Sequence, residues 1–280
     1  MADATDTVRP LGIAEAAEPP ARMPGYATAT WHLLVRLLRQ TQRQPIWLVV
    51  TIVQPILWLW LFGQLFRRVV TLPGFGATSY IDFLTPGIVI MTALFGSAWG
   101  GMSVITEIDN GVIARMLTTP VHRSALIMAR LLNTAINAVV QAFIILGVAY
   151  LLGARFPSGL PGILSIVVAA GLLAAEFGAL STGIALLARK EESVIALTNF
   201  ITLPLNFLSP ILMAAALMPA WMRGVSRFNP VSWAVAATRE SASAHPAWGS
   251  IAGHDALLLG LALVLLAFAT WTFRSYQRSI

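Results

Sequence analysis

Long apolar stretches without charge, separated by short charged segments, run through most of the chain. No charged residue occurs between Arg43 and Arg67, or between Asp82 and Glu107. A membrane-crossing helix needs about 20 mostly apolar residues, and these stretches are long enough. The pattern predicts an all-α membrane protein with six spans, at roughly Pro45–Phe66, Phe83–Ile105, Ser124–Leu152, Pro161–Ala188, Ser193–Leu212 and Ala256–Phe273.

The distribution of basic residues among the predicted loops indicates an orientation. Six spans place both termini on one side, and that side carries twelve of the 18 Lys and Arg residues. Because cytoplasmic loops are enriched in Lys and Arg, we expect both termini in the cytoplasm. Arg67 and Arg68, on the opposite side, weaken this expectation without reversing it.

Two segments precede the first predicted span. Residues 1–25 are rich in Ala, Pro and acidic side chains and have no apolar core, which is typical of a disordered tail. Residues 26–280 are predicted to form a single transmembrane domain. It opens with Trp31–Arg43, whose apolar and basic stripes favour a helix at the membrane surface, with its arginines toward lipid headgroups. The alternative, an extension of the first span, is disfavoured by Pro45, which suits a new helix start.

The segment Glu107–Arg123 is the longest polar stretch between spans on the predicted cytoplasmic side. Acids are favoured at the start of a helix and cations at its end, so the order of charges predicts a short exposed helix with its acids first. The residues of this segment leave two interpretations open: it is a docking surface for another subunit, or it is a plain loop. The residues concerned are Glu107, Asp109, Gly111, Arg115 and Pro120.

The outward segment Met213–Asp255 combines prolines, tryptophans and a helix signal. Asn229 followed by Pro230 is typical of a helix start and predicts a short helix over Val231–Glu240. Tryptophan is enriched at the membrane interface. We therefore expect the segment to dip partly into the outer leaflet, with Pro210, Pro219, Trp221, Trp233 and Trp248 as its markers.

Composition excludes several classes of protein. The chain is 57% hydrophobic and 11% charged, whereas soluble domains carry about 25% charged residues. It has no cysteine and a net charge of +6, which in so apolar a chain indicates membrane orientation rather than nucleic-acid binding. Its one lysine, Lys190, lies in no Gly-Lys-Ser/Thr motif. The sequence thus lacks a P-loop, and it offers no plausible set of catalytic residues for a membrane enzyme.

One ionisable residue lies near the middle of a predicted span. Glu176 is costly there when charged, so we expect it to face the interior, to be neutral at rest, or to line a hydrated cavity. Either it contacts an ion or a substrate, or it is a structural glutamate. Its expected partners are the polar stripe Asn133, Asn137 and Gln141, and a second stripe is Asn199 and Asn206.

Two runs of sequence resemble the permease subunits of type-2 ATP-binding-cassette (ABC) exporters, most closely the daunorubicin-resistance branch. The first run extends from Tyr80 to Arg130 and the second from Phe200 to Glu240. The second carries Phe-x-Ser-Pro, Pro-x-Trp, Asn-Pro and a closing arginine: Phe207, Ser209, Pro210, Pro219, Trp221, Asn229, Pro230 and Arg239.

The resemblance implies six helices per subunit with an amphipathic N-terminal helix, a coupling helix after the second span and re-entrant outer helices. It also implies a bacterial inner-membrane complex of two permease chains, identical or related, with two copies of a separate ABC ATPase. ATP and Mg²⁺ would bind to that ATPase, and this chain would hold no cofactor. By position, Glu107, Asp109, Gly111, Arg115 and Pro120 become the coupling segment. Glu176 has no general counterpart in the family.

We therefore expect an exporter of amphipathic or hydrophobic cargo, such as a drug, a lipid or a lipid-linked natural product. One alternative keeps the family and changes the cargo to a polysaccharide or glycolipid. Another is an ion-coupled secondary transporter that uses Glu176, although the inverted repeats of such transporters are not evident. The candidate pathway residues are Glu176, Asn133, Asn137, Asn199, Asn206, Phe207, Trp58 and Phe95.

Overall fold

A computed structural model of the chain describes residues 25–43, 45–71, 79–117 and 123–277. Within these ranges the regular structure is entirely helical. The predicted tail lies almost wholly outside the described residues, as does Pro120. The helices are α1 (Tyr26–Gln42), α2 (Pro45–Leu65), α3 (Tyr80–Ala98), α4 (Gly100–Asp109), α5 (Val112–Leu117), α6 (Arg123–Leu151), α7 (Gly159–Ala188), α8 (Glu191–Phe207), α9 (Ala220–Ser226), α10 (Pro230–Ala242) and α11 (Trp248–Gln277).

Four stretches of the described chain are long and apolar enough to cross a membrane. They are Tyr80–Asp109, which joins α3 and α4, then Ser124–Leu151, Gly159–Ala188 and Trp248–Tyr276. The described apolar part of α2, Val49–Leu65, is shorter. These stretches make the chain an all-helical membrane protein and match four of the six predicted spans.

The fifth and sixth predicted spans have different bounds in the structure. Helix α8 ends at Phe207 rather than Leu212, because Pro210 disfavours helical backbone in the residue before it. Helix α11 begins at Trp248, so the outward segment does not continue to Asp255. Within this first part of α11, the His254 ring bonds the Ser250 carbonyl oxygen at 2.9 Å.

Helix α7 lies at the centre of the bundle. It packs against α3, α4, α6, α8, α10 and α11. Small residues make this possible, because they let helices in a membrane approach closely. A Cβ atom added to Gly162 would overlap the Ser241 carbonyl of α10, and one added to Gly183 would overlap the Phe268 ring of α11.

The stretch Tyr80–Asp109 breaks at Trp99, and α7 packs at this break. The amide of Gly101 donates to Ser181 Oγ at 2.9 Å, and that hydroxyl donates to the Ala98 carbonyl. A Cβ on Gly101 would overlap the Ser181 carbonyl, whereas one on Gly100 would lie 3.9 Å from Thr134 Oγ1. The close approach is therefore made at Gly101 and not at Gly100.

Candidate functional site

In the described part of the predicted coupling segment, a tight turn separates α4 from α5. Gly111, with φ +65°, takes the left-handed conformation that glycine adopts without strain, and α5 follows as six residues. The predicted position of the acids was wrong: Glu107 and Asp109 lie in the last turn of α4, because Gly111 ends that helix before α5 begins. Arg115 does lie in the last turn of α5.

Arg115 folds back over the end of α4. Its guanidinium donates to the Asn110 carbonyl at 3.2 Å and to the Gly111 carbonyl at 3.4 Å. Asn110 caps α4 and Gly111 precedes α5, so Arg115 bonds carbonyls of the turn itself, and the Gly111 carbonyl also accepts from the Arg115 amide. Arg115 and Asp109 are both exposed. The turn therefore presents charge at the surface, at the end of the bundle that we call the α5 end.

Glu107 points into the bundle instead. It is 5% exposed and forms an ion pair with Arg130 of α6 and a second, at 3.5 Å, with Arg36 of α1. Arg130 also donates to Ser103 Oγ at 3.3 Å. The role of Glu107 in coupling stays a prediction, but its carboxylate joins helices of this chain and does not form part of the exposed turn.

Glu176 lies buried in the middle of α7. Its exposure is 0%, and neither carboxyl oxygen has a hydrogen-bond partner among the described residues. The expected bonds to Asn133, Asn137 and Gln141 are therefore not formed. The α7 face toward α6 carries Gly178, packed on Thr134. Glu176 lies about two helical turns before Gly183 and shares its side of α7, and Gly183 meets the Phe268 ring of α11.

The other candidate pathway residues divide between separate places. On α8, Phe207 is exposed, Asn206 is buried with an unpartnered Oδ1, and Asn199 lines a shallow groove with Trp99. Trp58 stacks on Phe62 of the same helix at 4.9 Å. Phe95 is half-buried on α3. These residues therefore lie on α8, α2 and α3, and Asn133 and Asn137 lie on α6; none of them bonds to the Glu176 carboxyl group.

The opposite end of the bundle, which we call the α10 end, is held by Asn229 and Arg239. The Asn229 side chain accepts from the Val231 amide at 2.9 Å, capping α10, and donates to the Leu205 carbonyl of α8 at 2.7 Å. Helix α10 covers the predicted short helix. Pro230 is its first residue and Pro219 precedes α9, while Trp221 is exposed and Pro210 lies in the bend after α8.

Arg239 connects α10 to two other parts of this end. Its guanidinium donates to the Ile211 carbonyl at 2.8 Å and to the Phe83 carbonyl at 3.4 Å. It also lies 3.7 Å from the centre of the Phe83 ring, an arrangement in which the ring attracts the cation. Arg239 thus ties the start of α3 to the bend after α8.

Sequence reasoning missed the roles of Arg36 and Arg130. A signal was present, because Arg130 follows the third span's predicted start and Glu107 follows the second span's predicted end. Neighbouring antiparallel spans bring such positions to the same end of the bundle. A cation and an acid placed there are complementary.

Comparison with known proteins places the chain in a family. The model of the ABC-2 type transporter family matches residues 28–242. A transport permease named ycf38 from Cyanophora paradoxa is 30% identical over 217 residues, covering 77% of this chain and 74% of its own. The daunorubicin resistance ABC transporter permease protein DrrB1 of Streptomyces coeruleorubidus is 25% identical over 228 residues, 81% of this chain and 79% of its own.

A third relative is named for doxorubicin resistance, the ABC transporter permease protein DrrC of Mycobacterium tuberculosis (strain ATCC 25618 / H37Rv). It is 27% identical over 254 residues, 88% of this chain and 90% of its own length. The predicted resemblance is thus confirmed at the level of the family. The chain belongs to the ABC-2 type transporter family, as a membrane permease.

Proposed function

We propose that this chain is the transmembrane subunit of a bacterial ABC exporter. It moves amphipathic or hydrophobic cargo outward, powered by ATP hydrolysis on a separate ATPase subunit. The observation that carries the proposal is the exposed turn from α4 through Gly111 to α5, in a chain of this family. Arg115 bonds the Asn110 and Gly111 carbonyls of this turn, and the fixed turn makes α5 a projection that a partner subunit can bind and displace.

The proposed arrangement has six spans and two cytoplasmic termini. The four long apolar stretches supply four spans, and α2 and α8 complete the set, with α8 continuing through the bend at Pro210. The α5 end then faces the cytoplasm, where ATP is available, and the α10 end faces outward. The excess of Lys and Arg on the side of the termini supports this orientation.

The proposed complex contains two permease chains and two ATPase subunits that bind ATP and Mg²⁺. ATP binding would draw the two α4–α5 turns together and open the route outward. Aromatic side chains on α8 support an apolar route, since Phe200 is 78% and Phe207 66% exposed in the single chain. The names of two relatives, for daunorubicin and doxorubicin resistance, support an amphipathic drug as one cargo.

The test is transport in vesicles that contain the purified permease and ABC ATPase subunits co-expressed from the source genome. We expect uptake of a fluorescent anthracycline into inside-out vesicles to require ATP. The same preparation with an ATPase subunit that binds but does not hydrolyse ATP is the control. Uptake that persists with this control and stops when the proton gradient is collapsed would instead support ion-coupled transport.

A further inference from the structure

A cluster of three charged side chains, two of them buried, joins three helices at the α5 end. Glu107 of α4 offers one carboxylate oxygen to Arg130 of α6 and the other to Arg36 of α1. We call this the Glu107 cluster. One carboxylate shared by two arginines leaves one positive charge in excess, so the two ion pairs are not equivalent.

The pair of Glu107 with Arg130, which we call the inner pair, is the harder of the two to separate. The side chains of Glu107 and Arg130 are each 7% exposed. Separating them would leave two charges away from water with no compensation, which is strongly unfavourable. This pair therefore holds α4 and α6 together at the α5 end.

The pair of Glu107 with Arg36, which we call the outer pair, is the easier of the two to separate. The Arg36 side chain is 40% exposed and lies 3.5 Å from Glu107. Loss of this pair exposes no unpaired buried charge, because water reaches the Arg36 side chain and Glu107 keeps its ion pair with Arg130. Arg36 is thus the member of the cluster that can be replaced without disrupting the fold.

Arg36 also reaches the short helix α5. Its Nη1 lies 3.5 Å from the Met116 sulfur, while its Nη2 is directed at Glu107. A single guanidinium consequently contacts the side chain of α5 and the acid of α4. Helix α1 packs along α6 and α2, and Arg36 is its polar connection to the α4–α5 turn among the described contacts.

We propose that Arg36 is a positioning residue for energy coupling, which makes α1 move together with α5. The inference rests on the proposed function, in which an ATPase displaces the α4–α5 turn. In that motion Met116 and Glu107 carry the Arg36 guanidinium with them, and α1 follows. Because α1 packs against α6, Arg36 gives the α4–α5 turn a second connection to α6, beside the Glu107–Arg130 pair.

The first experiment compares Arg36→Gln with Arg39→Gln in the complete complex. Arg39 is an exposed arginine one turn further along the same helix, so it controls for the loss of a positive charge near the membrane. We expect Arg36→Gln to assemble and hydrolyse ATP, but to transport several-fold less cargo per ATP. Arg39→Gln should keep the wild-type ratio. A wild-type ratio for Arg36→Gln, or an equal fall in both variants, would overturn the proposal.

The second experiment uses the absence of cysteine from the chain. Arg36→Cys combined with Met116→Cys can be joined by a short bifunctional maleimide. If α1 and α5 move together, the link should form equally well with and without ATP, and it should restore the transport per ATP that Arg36→Cys alone loses. Arg39→Cys with Met116→Cys is the matched control.

The two proposals fail in different ways. A link between residues 36 and 116 that forms only without ATP, or that abolishes transport, would show that α1 and α5 move independently. Absence of ATP-driven transport in the wild-type complex would instead remove the proposed function, on which this inference depends.

Discussion

At Gly101 the absence of a side chain lets α4 meet α7 with the amide directly against Ser181. A methyl group at this position would overlap backbone of the neighbouring helix, which cannot move aside as the end of a long side chain can. At Glu176, by contrast, a large polar group is accommodated with no partner for its oxygens. We therefore expect a substitution to destabilise the fold at Gly101 and to leave it intact at Glu176.

Gly101→Ala is expected to destabilise the protein by about 1–3 kcal/mol, the usual cost of overpacking. The measurement is the thermal unfolding midpoint in detergent. Gly100→Ala is the matched control, because its added methyl group would make only ordinary contact with Thr134. Equal midpoints for both variants would contradict the close approach of α4 to α7.

Glu176→Gln is expected to keep the fold and the ATPase activity. Glutamine has nearly the same shape, and it removes a group whose charged form is costly at this depth. We expect export of a cationic cargo to fall relative to a neutral one, measured for both cargoes in vesicles. Equal retention of the two cargoes would make Glu176 structural. A misfolded variant would show that the fold needs the charged carboxylate.

At the scale of single elements, α5 depends on its own sequence and on the end of α4. Gly111 separates the two helices, and the Arg115 guanidinium bonds the Asn110 and Gly111 carbonyls between them. The turn can therefore keep its shape while it is displaced as a unit, which is what a coupling element requires.

Arg115→Glu is expected to abolish ATP-driven transport while the permease still enters the membrane. The new carboxylate would face the Asn110 and Gly111 carbonyl oxygens, which repel a negative charge, and the turn would lose its shape. Copurification of the ATPase and cargo uptake are measured. Arg274→Glu, another exposed arginine in the last turn of α11, is the control. Full transport by Arg115→Glu would contradict a coupling role for α5.

Some elements follow from local sequence, and others depend on contacts that the sequence does not display. The Asn229–Pro230 signal placed α10 correctly, because capping is a local interaction. The order of charges placed Arg115 correctly in α5. It misplaced the acids, because the helix break at Gly111 leaves Glu107 in the last turn of α4 and not at the start of α5. The pairing of Glu107 with Arg130 and the isolation of Glu176 depend on how α6, α7 and α11 are rotated, which periodicity alone does not determine.

At the scale of the whole molecule, the proposed orientation places the α5 end in the cytoplasm and the α10 end outside. Alternating access then requires motions at the α5 end to reach the α10 end, where Arg239 connects α10, α3 and the bend after α8. Helix α7 spans this distance and contacts elements at both ends.

The orientation is tested with a reporter that is active only in the cytoplasm. Fused after Ile280 it should be active, and inserted at Ala244, between α10 and α11, it should be inactive. The excess of Lys and Arg on the side of the termini is the physical reason. Activity at Ala244 with none after Ile280 would reverse the orientation and place the α4–α5 turn outside.

The central position of α7 also bears on how the chain is made. Gly162 packs on Ser241 and Gly183 on Phe268, residues that a ribosome adds well after α7 has been synthesised. Until α10 and α11 arrive, the face of α7 that carries Glu176 lacks the helices that cover it. Biogenesis must therefore shelter a carboxyl group and a glycine-rich surface during translation, and a chain that stops short of α11 is a natural target for membrane quality control.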